Sequence, residues 1–280
     1  MAKNLVRFDW AMKRLLRNKA NYVVLEGFLS ELLREDILIE QILESEGNQD
    51  DEMTKFNRVD MLALNSRKEL VIIELQDNSE ADYFQRMLFG TSKALTDYFR
   101  LGDSYKSVRK VYSINIVYFD LGQGEDYVYH GRNEFVGIHR GDVLGLSAKQ
   151  KSSFGHEHIY QIYPEYYIIK VNRFDDVAKD TLDQWIYYLK NNQVRDEFNA
   201  KGLEGVRQRL DFDALTPDEK TAYIRTLENK SIEKDVIETA RGEGQLQKSR
   251  EIARQMKQDG MPVDLIVKYT ALSPDEIQLL

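Results

Sequence analysis

The amino-acid sequence predicts an α/β fold with a helical C-terminal extension, on three observations. Residues 56–76 hold two apolar runs rich in Val, Ile and Leu around a short polar break, the pattern of a β-hairpin. Amphipathic helical patterns at 21–34 and 81–100 flank that hairpin, and an apolar strand follows at 108–120. Beyond about residue 192 strand signals disappear and charged helical stretches take over. The expected division is an α/β domain over 1–191, a helical linker region over 192–244 and a small helical unit over 245–280.

In chain order, residues 9–17 read as a short helix with Asp9 as N-cap, and Arg7, Lys13, Arg14, Arg17 and Lys19 make this opening basic. The basic run is either a solvated face or a phosphate-facing patch. In the helix at 21–34, Tyr22, Val23, Leu25, Leu29, Leu32 and Leu33 form one apolar sector, and Glu26 falls beside it rather than on the polar side. Residues 36–45 read as a loop and then a strand, followed by an acidic loop from Glu46 to Lys55 and then the hairpin. The helix at 81–100 carries Tyr83, Met87, Leu88, Ala94, Leu95 and Tyr98 at helical spacing and ends at Gly102-Asp103. The strand at 108–120 is apolar enough to be central. Further strands are expected at 127–130 and 166–171, and a helix at 180–191 with Leu182, Trp185, Ile186 and Leu189 facing in.

The tail carries two capping boxes, Thr216-Pro217-Asp218-Glu219 and Ser273-Pro274-Asp275-Glu276, each marking a helix start. Gly242-Glu243-Gly244 reads as a hinge, and 246–280 as two or three helices broken at 259–262 and 270–273. An oligomerisation element, joining copies of the chain through these helices, fits the tail better than a helix-turn-helix reader, because the helices are short and the charge is mixed.

Composition excludes several function classes. The 280 residues are 42% hydrophobic, 11% aromatic and 31% charged, enough for a core and ordinary in charge. There is no cysteine, hence no disulfide framework, thiolate metal site or Cys nucleophile, and a reducing cytoplasm is the expected compartment. No apolar run approaches the roughly 18 residues of a membrane span, and residues 1–10 lack a signal-peptide core, so no membrane partner is expected. The net charge of −8 argues against nucleic-acid affinity from bulk electrostatics but allows a locally basic groove.

The chemistry concentrates in the hairpin. A turn centred on Arg67 sets Asp60 opposite Glu74, each seven residues from the centre. Directly opposed residues hold their Cβ atoms about 4.5–5.5 Å apart. Two carboxylates that close repel unless a cation or proton lies between them, and acids inside apolar strands are costly to bury. Phosphodiester cleavage by a divalent ion needs hard oxygen ligands with open coordination positions. Asp60 and Glu74 supply two carboxylates, and the Leu75 backbone carbonyl a third oxygen. Alternation puts Gln76 on the Glu74 face, where its amide can orient the attacking water or contact the scissile phosphate. Glu26, on the packed helix, is the candidate for a second ion or an ion-bound water. Tyr83 and Arg86 follow on the next helix as candidate phosphate contacts, Arg86 as a clamp. Gly122-Gln123-Gly124-Glu125 lacks the third glycine of a dinucleotide fingerprint and reads as a turn, and His156-Glu157-His158 has no third ligand in view.

An acid on one strand, E-x-Q on the next and a Glu on the preceding helix resemble the PD-(D/E)XK nuclease core. Several stretches resemble more narrowly the nuclease-family transposases of that superfamily, related to recombination-promoting nucleases. They are Phe8 to Lys13, Val24 to Leu29, Phe56 to Asp60, Glu74-Leu75-Gln76, Asp82 to Lys93, Ser113 to Asp120 and Tyr163 to Tyr167, and together they span about residues 7–190. The resemblance implies a mixed sheet flanked by helices and an endonuclease acting on DNA with Mg²⁺, or Mn²⁺ or Ca²⁺, linked to mobile elements or recombination. Val59 stands where the superfamily motif has proline, and Gln76 where it has lysine. Glutamine keeps hydrogen bonding but lacks the charge that stabilises a phosphorane-like transition state. The alternative is a catalytically lapsed nuclease fold that binds DNA or assembles.

Overall fold

The computed structural model describes residues 5–43, 59–99, 102 and 104–280. The expected acidic loop, Phe56 to Arg58, the end of the strand at 36–45 and Asp103 lie outside them. Two compact units divide the chain, residues 1–215 and 216–280.

The first unit opens with α1 (Phe8–Arg14) and α2 (Tyr22–Leu33), followed by β1 (Ile39–Leu43), β2 (Met61–Asn65), β3 (Leu70–Gln76), α3 (Tyr83–Asp97) and β4 (Val111–Val117). Next come β5 (Val128–Gly131), α4 (Ala148–Phe154), β6 (Glu165–Lys170), α5 (Thr181–Asn191) and α6 (Leu203–Arg209). One six-stranded sheet has the order β1-β2-β3-β4-β6-β5. The pairs β1/β2, β2/β3 and β5/β6 are antiparallel, whereas β3/β4 and β4/β6 are parallel. The sheet is therefore mixed. β4 is buried at every position, as expected for a central strand covered on both faces. A parallel neighbour cannot follow a tight turn, so α3 serves as the crossover from β3 to β4.

The hairpin turn is set locally. Asn65 Oδ1 accepts from the Arg67 and Glu69 amides, a side chain standing in for a backbone turn. Lys68 takes a left-handed φ of 64°, and Arg67 holds Glu35 and Glu69 from above. On one face of the sheet, α3 packs Ala94 against Leu62, Leu64, Leu70, Ile72 and Val111, and Tyr83 and Met87 against Val117. On the other, Phe8, Phe28, Trp185 and Tyr188 meet edge-on or tilted at centroid distances of 5.4–6.3 Å. The Tyr118 hydroxyl ties β4 to α5 through the Leu189 carbonyl.

Three expectations are corrected. Asp9 lies inside α1, whose N-cap is Arg7; the Asp9 carboxylate accepts from the Trp10 amide and the Arg7 guanidinium. Of the segment expected as a linker over 192–244, residues 192–215 pack into the first unit and the rest belongs to the second. Val6 donates to the Leu210 carbonyl and Arg207 to those of Arg195 and Phe198. Gly27 of α2 meets Gly202 backbone to backbone, and a Cβ on Gly27 would overlap the Gly202 Cα and the Lys201 carbonyl. Gly27→Ala is thus expected to destabilise the protein by about 3 kcal/mol, the upper end of overpacking costs, read by urea denaturation; a change below about 0.5 kcal/mol would mean that α2 can shift freely.

The third correction concerns the hinge. In the second unit α7 (Pro217–Gln258) runs unbroken for 42 residues through Gly242 and Gly244. Two glycines cost about 1 kcal/mol each in a helix, too little to stop one propagating between strong formers. α8 (Val263–Thr270) and α9 (Pro274–Gln278) follow, with breaks where the sequence places them, and both capping boxes form. Ala253, Ile266, Leu272 and Ile277 make a small core, and Lys257 donates to the Ile277 and Gln278 carbonyls at 3.0 Å.

Candidate active site

The β2/β3 register pairs Met61 with Ile73. One step further along the same register, Asp60 faces Glu74 about the Arg67 centre. Asp60 Oδ2 accepts from the Leu75 amide at 2.8 Å, which locks the carboxylate against β3. The N–H and C=O of one strand residue point to the same side of the strand. The Leu75 carbonyl is therefore directed to the Asp60 side, while the Gln76 carbonyl accepts from Tyr118 on β4.

Glu74 is buried, 7% exposed. Burial raises its carboxyl above the usual range; Arg86 pulls it back, and the Asp60 charge pushes it further up. Arg86 Nη2 lies 3.2 Å from Glu74 and Nη1 2.7 Å from Glu80, while Nε is buried with no hydrogen-bond partner among the described residues. Gln76 Nε2 donates to Glu80 at 2.8 Å and to the Asn78 carbonyl at 3.2 Å. Gln76, Glu80, Arg86 and Glu74 thus form one chain of contacts at the end of β3. At the Asp60 end, Lys13 Nζ of α1 lies 3.1 Å from Asp60 Oδ1.

Asp60, Glu74, Leu75, Gln76 and Arg86 are brought together, although both Nη groups of Arg86 are committed to carboxylates. Two other candidates are not at the site. Glu26 accepts from the Ile39 amide at the start of β1, and Ile39 pairs with Asn65, five residues or about 16 Å along β2 from Asp60. Its helical position beside the apolar sector reflects a backbone cap, not a second ion site. Tyr83 is fully buried and donates to Asn115 Oδ1 at 3.3 Å, so it is a core side chain under Glu74 rather than a phosphate contact. Glu80 and Lys13 were missed as site residues. Glu80 lies outside any strand pattern, and Lys13 is indistinguishable from its basic neighbours until α1 is packed.

The donor set fits a hard divalent cation. Two opposed carboxylates and a carbonyl are oxygen ligands, and burial together with the Asp60 charge keeps the Glu74 carboxyl raised even with Arg86 beside it. Among the described residues no three His, Asp or Glu side chains converge closely enough to hold an ion by themselves. The remaining positions would belong to the carbonyl, water and substrate. His158 stacks on Tyr160 and Glu157 pairs with Lys151, so the His-Glu-His stretch is accounted for by surface contacts. No described helix is long and apolar enough to cross a membrane.

A mixed sheet flanked by helices, with paired acids where two adjacent strands end, defines a nuclease-type α/β fold. The model of the PD-(D/E)XK nuclease family transposases matches residues 6–240, and the chain belongs to that family. Neither the curated proteins nor the solved structures give a match. Membership carries a nuclease- or transposase-related function, in a superfamily whose nucleases generally use divalent metals and whose substrate is DNA.

Proposed function

We propose that the protein is a divalent-metal-dependent DNA endonuclease that hydrolyses phosphodiester bonds, linked to mobile elements or recombination and working in the cytoplasm. The observation that carries this reading is the apposition of Asp60 with the buried Glu74, with the Leu75 carbonyl turned to the same side. Asp60, Glu74 and that carbonyl would hold the ion, Mg²⁺ or Mn²⁺. When bound, such a cation supplies the positive charge that phosphodiester hydrolysis draws on. Gln76, whose Nε2 donates to Glu80 and the Asn78 carbonyl, keeps its carbonyl oxygen to accept from and orient the attacking water. Arg86 balances the Glu74 charge and sets its position. The test is conversion of supercoiled plasmid to nicked or linear DNA with millimolar Mg²⁺ or Mn²⁺; a chain that leaves the plasmid intact under both ions would overturn the reading.

Ion binding should also depend on pH. A carboxyl raised above its ordinary value of 4.5 stays protonated to higher pH, and the proton competes with the ion. Mn²⁺ affinity by calorimetry is expected to fall on acidification starting above that pH. In Asp60→Asn, which removes a like charge, NMR titration should find the Glu74 carboxyl lower than in the wild type. A fall confined to the ordinary carboxylate range would contradict the assignment of Glu74.

A lapsed nuclease that binds DNA or assembles remains the second reading, favoured by Gln76. Absence of any calorimetric Mn²⁺ signal in the presence of DNA would select it. Exposed Ile232, Val236 and Ile237 on α7 support self-association of the helical unit, read by light scattering of the full chain.

A further inference from the structure

The acid pair has an uncharged amide where the superfamily motif has a lysine, and that amide is turned to Glu80 rather than outward. Among the described residues two cations touch the pair, Arg86 on Glu74 and Lys13 on Asp60. They differ in what they have left to offer. Arg86 is held by Glu74 and Glu80 through one contact from each Nη, its Nε is buried, and its side chain is 28% exposed. The Lys13 side chain is 56% exposed, and among the described residues its one ion pair is with Asp60. An ammonium has three donors on a rotatable stem, so two remain for an anion arriving from solvent. Its place is secured, because Ala11, Met12, Leu15 and Leu16 on either side are buried. Asp60 is secured too, by the Leu75 amide on its other oxygen. Beyond Lys13, the exposed Arg14, Arg17 and Lys19 form no ion pair with any described residue, so the positive charge continues away from the site despite the net charge of −8.

We propose that Lys13 is the phosphate-contacting catalytic residue of this site, placing on α1 the charge that β3 lacks at Gln76. The inference rests on the nuclease reading of Asp60 and Glu74. In the step, a water oxygen bonds to phosphorus as the bond to the leaving sugar oxygen breaks. The water's proton passes to solvent and the leaving oxygen takes one up. Lys13 keeps its proton throughout and donates hydrogen bonds to a non-bridging oxygen, whose charge grows in the transition state.

The experiment compares wild type, Lys13→Ala, Lys13→Arg and Asp60→Ala in single-turnover plasmid cleavage, with Mn²⁺ affinity by calorimetry alongside. Lys13→Ala is expected to lose about 100-fold in rate, the scale of one transition-state donor, while binding Mn²⁺ at least as tightly as wild type. Lys13→Arg should recover most of the rate, and Asp60→Ala should lose both properties. Cleavage by Lys13→Ala within about threefold of wild type overturns the proposal, as does a parallel loss of Mn²⁺ binding. If the wild type cuts no DNA, the nuclease reading fails, and binding of a fluorescent duplex in Ca²⁺ then decides for Lys13. A salt slope lower by about one in Lys13→Ala keeps it as a phosphate contact, whereas an unchanged slope removes it.

Discussion

Asp60→Ala is expected to abolish divalent-ion-dependent nicking of supercoiled DNA, lowering the rate by about 10³-fold or more, or about 4 kcal/mol of transition-state stabilisation. The size follows from what Asp60 does at once. It offers a carboxylate opposite Glu74, is clamped by the Leu75 amide and receives Lys13. Without it a single buried acid is left to hold the ion. Thermal stability should change little, because the lost amide contact is offset by relief of the charge that raises Glu74. A preserved melting temperature therefore separates lost chemistry from lost folding. Equal nicking by wild type and Asp60→Ala would remove these residues from the reaction.

Lys110→Ala is expected to cost about 3–5 kcal/mol in urea denaturation, the range for breaking a buried ion pair by deleting one partner. Lys110 Nζ contacts Glu165 at 2.6 Å, with the two side chains 4% and 8% exposed, and burial lowers its pKa despite that partner. It also donates to the Tyr160 and Tyr163 carbonyls, pinning the approach to β6. Its loss would leave the Glu165 carboxylate with the His130 ring at 2.6 Å and the Tyr167 hydroxyl at 3.5 Å among the described residues. Lys110→Met combined with Glu165→Leu should recover much of the stability, because no unpaired charge stays buried. A loss below about 1 kcal/mol in the single variant would mean that water reaches Glu165. The pair belongs to the fold, since Lys110 and Glu165 lie where β4 and β6 begin and the Asp60/Glu74 pair where β2 and β3 meet the opposite end.

Much of this was legible in one dimension. Apolar runs and helical spacing placed β2, β3, α2, α3, β4 and α5 because each buries a face whose period the chain must repeat. The hairpin register followed from the polar break alone, since Asn65 caps its own turn. The capping boxes at Thr216 and Ser273 are local chemistry and formed as written. Glu26 misled because a carboxylate on an apolar flank reads alike whether it serves a metal or a backbone amide. Tyr83 misled because an aromatic hydroxyl next to a site reads alike inside and outside the core. The helix α4 and the docking of 192–215 carried no strong period, so only packing revealed them.

The sequence by itself determined that paired acids would sit across a hairpin in an α/β chain of this family, because register and alternation are short-range properties of two adjacent strands. Only the tertiary structure decided which charges attend them. Lys13 and Asp60 are separated by 46 intervening residues and meet because α1 is buried at Ala11, Met12, Leu15 and Leu16; Arg86 reaches Glu74 because α3 crosses back over β3. Ion pairing depends on distance in space, and distance in space is settled by how helices pack on the sheet.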